Sequence, residues 1–497
     1  MATATTTGQV CKNFINGRWV ESNGRKLERR NPANTEEVVA VIPLSTREEA
    51  REAIDAAAKA FPAWRDTPAP VRGRVIAKAA VLLEQQKEEV ARLLTREEGK
   101  TLKESLGEVM KSVNILEFMA GESRRLGGET LPSELPKNFA YTLKQPLGVV
   151  GMITPWNFPV SIPVWKMAPA LVAGNTVVLK PAELTPLTAA KVVEIFAAAG
   201  APVGVVNLVL GAGEEVGDEL VQSKTVRAVS FTGSTEVGAM IYANGARGLK
   251  KCQCEMGGKN PVVVLADADL GLAAESVVFG AFGSTGQRCT ATSRVVVEEA
   301  VADQLVGMIV ERAKKMKVGN GLESGVDMGP AVDETQMQTD LNYIEAGKQQ
   351  GKLLLGGGRL RGAEYDKGYF VAPTIFDHVA ADAAIAQDEI FGPVLSVVRV
   401  KGFDEALAVA NSVRYGLSSS IYTNDAAKIF EFIDKIEPGI THINSPTVGG
   451  EAQMPFGGMK ATGVGLREMG RVAIDFYTEL KAVYIDYTGR KRESNIY

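Results

Sequence analysis

The stretch FGSTGQRCTATSR, Phe282 to Arg294, sets one cysteine among glycines, hydroxyls and two arginines. Free cysteines are among the most buried residue types and commonly serve as small hydrophobes. Cys289 instead has Gly283, Ser284, Thr285, Gly286, Gln287, Arg288 and Thr290 as neighbours, the composition of a turn, and a nearby arginine favours the thiolate. Two readings stay open from this segment alone: a buried thiol, or a nucleophile. The chain has only two histidines, His378 and His442. A carboxylate or a lysine is therefore the better candidate for a general base. Glu255, in CEMGGKNP at a strand end before two glycines, is either an exposed acid in a turn or that base. Asn157, in ITPWNFP, sits between Trp156 and Phe158 in a stretch stiffened by Pro155 and Pro159. A buried side-chain amide needs a defined partner, and one held this way suits an oxyanion donor.

Three further segments have the chemistry of a nucleotide site. GAGEEVG, with Gly211, Gly213 and Gly217, follows the apolar run VVNLVL but is one residue too long for the G-x-G-x-x-G dinucleotide loop. An ordinary strand-to-helix turn explains it equally. In SFTGSTEVG a strand ends at Phe231, Gly233 permits a tight turn, and Ser234 or Thr235 caps the next helix. Free N–H groups at a helix start make a pyrophosphate site, although many capped turns bind nothing. LKPAELTP places Lys180 and Glu183 just past an apolar strand, where ligands bind in doubly wound sheets. A carboxylate there accepts from ribose hydroxyls and repels a 2′-phosphate; the alternative is a solvated charged turn.

Positioning these groups needs alternating strands and helices. After a short β start (NFINGRWVES) the first ~125 residues read as helical. Thr46 serves as N-cap with Glu48 and Glu49 in the first turn, and RVIAKAAVLLEQQKEEVARLLTREEGK reads as one amphipathic surface helix. GGETLPSELPKNFAYTLKQPLG reads as an extended ribbon joining two bodies. From residue 148 short β-branched runs alternate with helical segments, the pattern of parallel βαβ units. A second series runs from NPVVVLADADL through SRVVVEEA to ITHINSP. The tail DFYTELKAVYIDYTG alternates like an exposed strand, free to pair with another subunit or to edge its own sheet.

Bulk properties narrow the partners. With 497 residues the chain is long enough for several domains, and its net charge of −4 includes no strongly basic segment. Nucleic acid and anionic membrane surfaces are not expected partners. The apolar runs are too short to span a bilayer, and the polar start MATATTTGQVCKNF lacks the core of a secretion signal. Four cysteines make no disulfide framework, and KCQCE has C-x-C rather than C-x2-C spacing. A cytoplasmic protein without a metal site is the expectation.

In their order along the chain, PWNFP, KPAELTP, FTGSTEVG, EMGGKNP, GQRC and EIFGPV resemble the aldehyde dehydrogenase superfamily, from FINGRWVES to PFGGMKATGVGLREMG. The resemblance implies an α/β fold: a doubly wound Rossmann-like dinucleotide-binding domain (1–126 and 147–257), an α/β catalytic domain (258–472) and a small β oligomerisation arm (127–146 and 473–497). It implies Cys289 as nucleophile, Asn157 and the Cys289 N–H as oxyanion donors, and Glu255 as the base that hydrolyses a thioester. It also implies that NAD, with NADP as an alternative, is bound by Ile153, Pro155, Trp156, Lys180, Glu183, Gly213, Gly217, Phe231, Gly233, Ser234, Glu389 and Phe391. A substrate wall of Phe158, Trp165, Arg288, Thr290, Ser445 and Pro446 follows, as does a homodimer or homotetramer. The motifs are most similar to those of 2,5-dioxovalerate (α-ketoglutarate semialdehyde) dehydrogenases. The alternatives are a broad-specificity aliphatic or aromatic aldehyde dehydrogenase, and a catalytically retired binding or structural protein on the same fold.

Overall fold

A computed structural model describes residues 8–490. The polar N-terminal start and the end of the expected arm lie partly outside the described residues. Two large sheets dominate. The first has eight strands in the order Gly463–Val464, Lys251–Glu255, Val226–Thr232, Val149–Thr154, Thr176–Pro181, Val206–Leu208, Asn13–Ile15 and Arg18–Val20. Its five central strands are parallel. The chain starts at Val149–Thr154, moves outward through Thr176–Pro181 and Val206–Leu208, then returns to place Val226–Thr232 on the other side. The strand order reverses between Val149–Thr154 and Val226–Thr232, which makes the crevice beyond their carboxyl ends the expected ligand site.

The second sheet has seven strands, in the order Lys352–Leu355, Thr374–Asp377, Val394–Val400, Thr292–Glu298, Asn260–Val264, Ser418–Tyr422 and Ile440–Ile443. All its pairings are parallel except that of Lys352–Leu355, an edge strand. The runs VVV in Asn260–Val264 and Thr292–Glu298 are buried on both faces, as parallel strands covered by helices require. Glu255 ends a strand of the first sheet and Asn260 begins one of the second, so four residues carry the chain between them.

Local rules explain the helices that reach the site. Helix Arg47–Asp66 begins at Thr46 with a capping box closed by Glu49, and helix Leu102–Glu122 begins at Thr101 with one closed by Glu104. The long amphipathic stretch expected as one helix is two, Ala69–Gln85 and Lys87–Glu98, broken at Gln86 (φ −102°, ψ 10°). The expectation of helix directly after the β start is also corrected. Lys26–Asn31 and Asn34–Pro43 form a hairpin whose charged residues hide the alternation of strands. Thr478–Asp486 pairs along its whole length with Asn138–Pro146, which also pairs with Thr130–Leu131. The tail strand is thus an edge strand of its own three-stranded sheet, with Leu480 and Tyr484 exposed. Among the described residues no helix is long and apolar enough to cross a membrane.

Candidate active site

The loop before Thr292–Glu298 carries Cys289 on a strained backbone. Ser284 (φ 49°), Thr285 (φ 59°) and Gly286 (φ 71°) are all left-handed. A Cβ at Gly286 would overlap the Gly392 carbonyl, so the position demands glycine. Bonds from other elements hold the strain. Ser284 N–H donates to Glu104 Oε1 at 2.6 Å, and Thr285 Oγ1 donates to the Gly329 carbonyl at 3.0 Å. Gln287 Oε1 accepts from Val332 N–H at 2.8 Å. Asn260 Nδ2 donates at 2.8 Å both to the Cys289 carbonyl and to the Ala291 carbonyl.

Asn157 is buried, and its Nδ2 donates to the Gln287 carbonyl at 3.1 Å, which ties the PWNFP loop to the cysteine loop. One amide hydrogen is used by that bond; the second remains for an oxyanion. The Asn157 carbonyl accepts from Lys100 Nζ at 2.5 Å, and the same ammonium lies 2.8 Å from Glu108 Oε2. Glu108 Oε1 in turn accepts from Val160 and Ser161 N–H, at 2.8 and 3.1 Å, the first amides of helix Ser161–Ala173. The Lys100–Glu108 pair therefore positions the Asn157 carbonyl and the backbone that follows it.

Glu255 is buried at the end of Lys251–Glu255, where Gly458 N–H donates to Oε2 at 3.3 Å. Burial first, then the Glu468 carboxylate, hold its pKa well above the usual carboxylate range, against Arg467 and Lys166. Lys166, on helix Ser161–Ala173, is ion-paired with Glu468 and lies 2.9 Å from Ser230 Oγ. Glu389 is pushed up to about 7 by burial, and its Oε1 accepts from Gly258 N–H at 2.8 Å.

Burial, with Glu389 and Glu255 adding their negative charge, pushes the Cys289 thiol up to about 12. Lys111 and the Thr290 N–H oppose this. The expectation that a neighbouring arginine draws out the thiolate is thus corrected. Arg288 is committed elsewhere, 3.0 Å from Glu104 Oε1 and donating to Ser284 Oγ at 3.0 Å. At neutral pH the resting group is a thiol, and attack needs a base.

A cavity of about 1320 Å³ opens beside Cys289. Phe158, Trp165, Arg288 and Thr290 line it, joined by Phe456, Lys111 and residues 448–453. Ser445 and Pro446 do not line it. Ser420 Oγ holds the Ser445 carbonyl at 2.5 Å, and Thr447 packs down on the Thr290 carbonyl at 2.8 Å, so the chain first reaches the cavity at Val448. Neither histidine lines it.

The nucleotide-type residues gather at the reversal point of the first sheet. Ile153 closes one strand, with Pro155 and Trp156 just beyond. Phe231 lies in the neighbouring strand, and Ser234 caps helix Thr235–Arg247 by accepting from Val237 N–H at 3.4 Å. Gly233 lies between them. The overlong GAGEEVG is explained by a π-helical turn, Gly213–Gly217, which takes an extra residue per turn. Lys180 ends the next strand, 2.7 Å from Glu183 Oε1. Trp156 meets Phe391 edge-on at 5.5 Å between centroids. A Cβ at Gly257 would overlap the Glu389 carboxylate, so the glycine pair in EMGGKNP lets backbone pass close to that acid. The donor set, a helix start with a hydroxyl cap, a lysine and two carboxylates, fits a dinucleotide.

Lys100, Glu104, Glu108, Lys111, Asn260 and Glu468 escape a reading by motif. Three of the polar groups have a sequence signal: Glu104, Glu108 and Lys111 stand at i, i+4 and i+7, on one face of helix Leu102–Glu122. A polar stripe on a helix otherwise half apolar marks a face turned toward a site. Asn260 and Glu468 carry no such signal.

Comparison with known proteins sets this arrangement in context. A model described as the aldehyde dehydrogenase family matches residues 19–483. The chain is 48% identical over 476 residues to the alpha-ketoglutaric semialdehyde dehydrogenase of Bacillus subtilis (strain 168), covering 95% of this chain and 97% of that protein. It is 50% identical over 471 residues to the 2,5-dioxopentanoate dehydrogenase of Saccharolobus solfataricus, covering 94% and 98%. The crystal structure of betaine aldehyde dehydrogenase from Staphylococcus aureus in complex with NAD+ superposes with a TM-score of 0.94 at 35% identity, covering 97% of this chain and 96% of that one.

Proposed function

This chain belongs to the aldehyde dehydrogenase family, and from that premise we propose that it oxidises a carboxylated semialdehyde, 2,5-dioxovalerate (2,5-dioxopentanoate) or a near analogue, with NAD as cofactor. The observation that carries the chemistry is the placing of Cys289 on the wall of the cavity, with Glu255 close enough to raise the thiol. The substrate reading is supported by the relatives at 48% and 50% identity.

Glu255, with its proton affinity raised, is matched to take the thiol proton. Cys289 Sγ then bonds to the aldehyde carbon, and the oxyanion is met by the free amide hydrogen of Asn157 and the Cys289 N–H. The dinucleotide, when bound, supplies the hydride acceptor. Once hydride has left the adduct, the acyl group on Cys289 is a thioester. Glu255, having passed the thiol proton on to solvent, takes a proton from the water that cleaves it, and the free acid is released with the thiol restored. Lys180 and Glu183 would hold the adenosine ribose, Ser234 the pyrophosphate, and Glu389 with Phe391 the nicotinamide end. Glu183 favours NAD over NADP by repelling a 2′-phosphate. In this reading the first sheet carries the cofactor and the second the nucleophile, in a cytoplasmic homodimer or homotetramer joined through the three-stranded sheet.

An aldehyde panel assayed with both cofactors tests this: 2,5-dioxopentanoate, succinic semialdehyde and simple alkanals. We expect the highest kcat/KM with a semialdehyde and NAD. Alkanals far outperforming every oxo-acid would favour the broad-specificity alternative and sink the substrate reading.

A further inference from the structure

Lys111 stands on the inner wall of the cavity with no ion pair or hydrogen bond to its ammonium among the described residues. Its neighbours are aromatic: Nζ lies 5.4 Å from the Trp165 ring centroid and 5.9 Å from that of Phe456. The two acids one and two turns back on its own helix are already taken. Glu108 is held by Lys100 and two backbone amides, and Glu104 by Arg288 and Ser284 N–H. Of the other cations lining the cavity, Arg288 is paired, Lys103 and Lys315 are exposed, and Arg312 is half-buried on a different helix, Glu299–Ala313. Lys111 is also the cation whose charge reaches the Cys289 thiol.

A charged amine set against rings without a counter-ion costs free energy that a ligand anion can recover. From this placement we infer that Lys111 is a specificity-determining residue: it binds the carboxylate at the far end of the aldehyde, and excludes aldehydes with a cationic end. The inference rests on the semialdehyde reading above. Trp165, Phe456 and Phe158 line the same cavity and form an apolar channel for the carbon chain. An aromatic wall of this kind ordinarily attracts quaternary ammonium groups. Here Lys111 occupies it with its own charge, so a cationic aldehyde such as betaine aldehyde meets repulsion at the place where rings alone would welcome it.

The experiment compares wild type, Lys111→Met and Lys111→Arg on 2,5-dioxopentanoate, on butanal and on betaine aldehyde. Loss of a charged contact predicts a fall of about ten- to hundredfold in kcat/KM for the oxo-acid with Lys111→Met, mainly through KM. Butanal oxidation should fall far less than oxo-acid oxidation, betaine aldehyde oxidation should rise relative to butanal, and Lys111→Arg should restore most of the oxo-acid activity. Unchanged oxo-acid kinetics in Lys111→Met would overturn the assignment. An equal loss on all three aldehydes, with slower alkylation of Cys289, would overturn it too and make Lys111 a thiol-tuning residue. If wild type itself does not prefer the oxo-acid to butanal, the semialdehyde reading fails; if it does and Lys111→Met keeps that preference, only the assignment of Lys111 fails.

Discussion

Asn260 holds the peptide on either side of Thr290, next to the nucleophile: from one nitrogen it donates to the Cys289 carbonyl and to the Ala291 carbonyl, each at 2.8 Å. Its Oδ1 accepts from Ser418 N–H at 3.0 Å, so the nucleophile is tied through one side chain to two neighbouring strands of the second sheet. Asn260→Ala should leave two carbonyls short of a partner and cost about 2 kcal/mol of stability. The fall in kcat should exceed that expected from stability alone, because the loop loses its register. Thermal melting and single-turnover kinetics on the same preparation separate the two effects.

Cys289→Ala should abolish aldehyde-dependent formation of reduced cofactor, and residual oxidation near the wild-type rate would remove Cys289 as the nucleophile. Because the thiol is pushed up to about 12, alkylation by iodoacetamide should be slow at neutral pH and accelerate steadily as pH rises. A rate already at its plateau at pH 7 would mean that the thiolate is preformed.

Glu255→Gln separates the two halves of the reaction. If this residue hydrolyses the thioester, pre-steady-state cofactor reduction should approach one turnover per site and then stall. Intact mass spectrometry should show the acyl group on the protein. Undiminished steady-state turnover would show that another group activates the water.

After burial, the Lys166–Glu468 pair is among the charges that tune Glu255. Glu468 raises Glu255 and Lys166 lowers it. A base must be ionised to act, so kcat should fall as pH drops through the raised value for Glu255. Glu468→Gln removes the raising charge and leaves Lys166 unopposed, so the acidic limb should move to lower pH. A limb that stays in place, or moves up, would show that Glu255 does not govern it.

Asn157→Ala should lower kcat by about 10²- to 10³-fold with a much smaller change in KM, the signature of a donor aimed at the transition state. A change confined to KM would assign Asn157 to binding.

Residue types and order along the chain were enough to identify the chemistry. Cys289, Glu255 and Asn157 stand out because a cysteine among glycines, an acid before two glycines and an amide between aromatics are each poor choices for a plain core. With only two histidines a carboxylate or lysine is the better candidate for a base, and neither histidine lines the cavity. The alternation of β-branched runs with helical segments was also enough for two parallel sheets, since burial on both faces writes itself into consecutive apolar residues. Tertiary structure decided what depends on charge seen across space. Arg288, adjacent to the thiol in sequence, is neutralised by Glu104 from a helix that begins almost two hundred residues earlier, whereas Lys111 from that same helix is the cation that reaches Cys289. Whether the cavity wall is Ser445–Pro446 or the residues from Val448 onward depends on which carbonyls Ser420 and Thr447 bind. Electrostatic influence and hydrogen-bond pairing fall off with distance in space, not with separation along the chain. Neighbours in sequence therefore reveal which groups are available, and only the folded chain decides which of them meet.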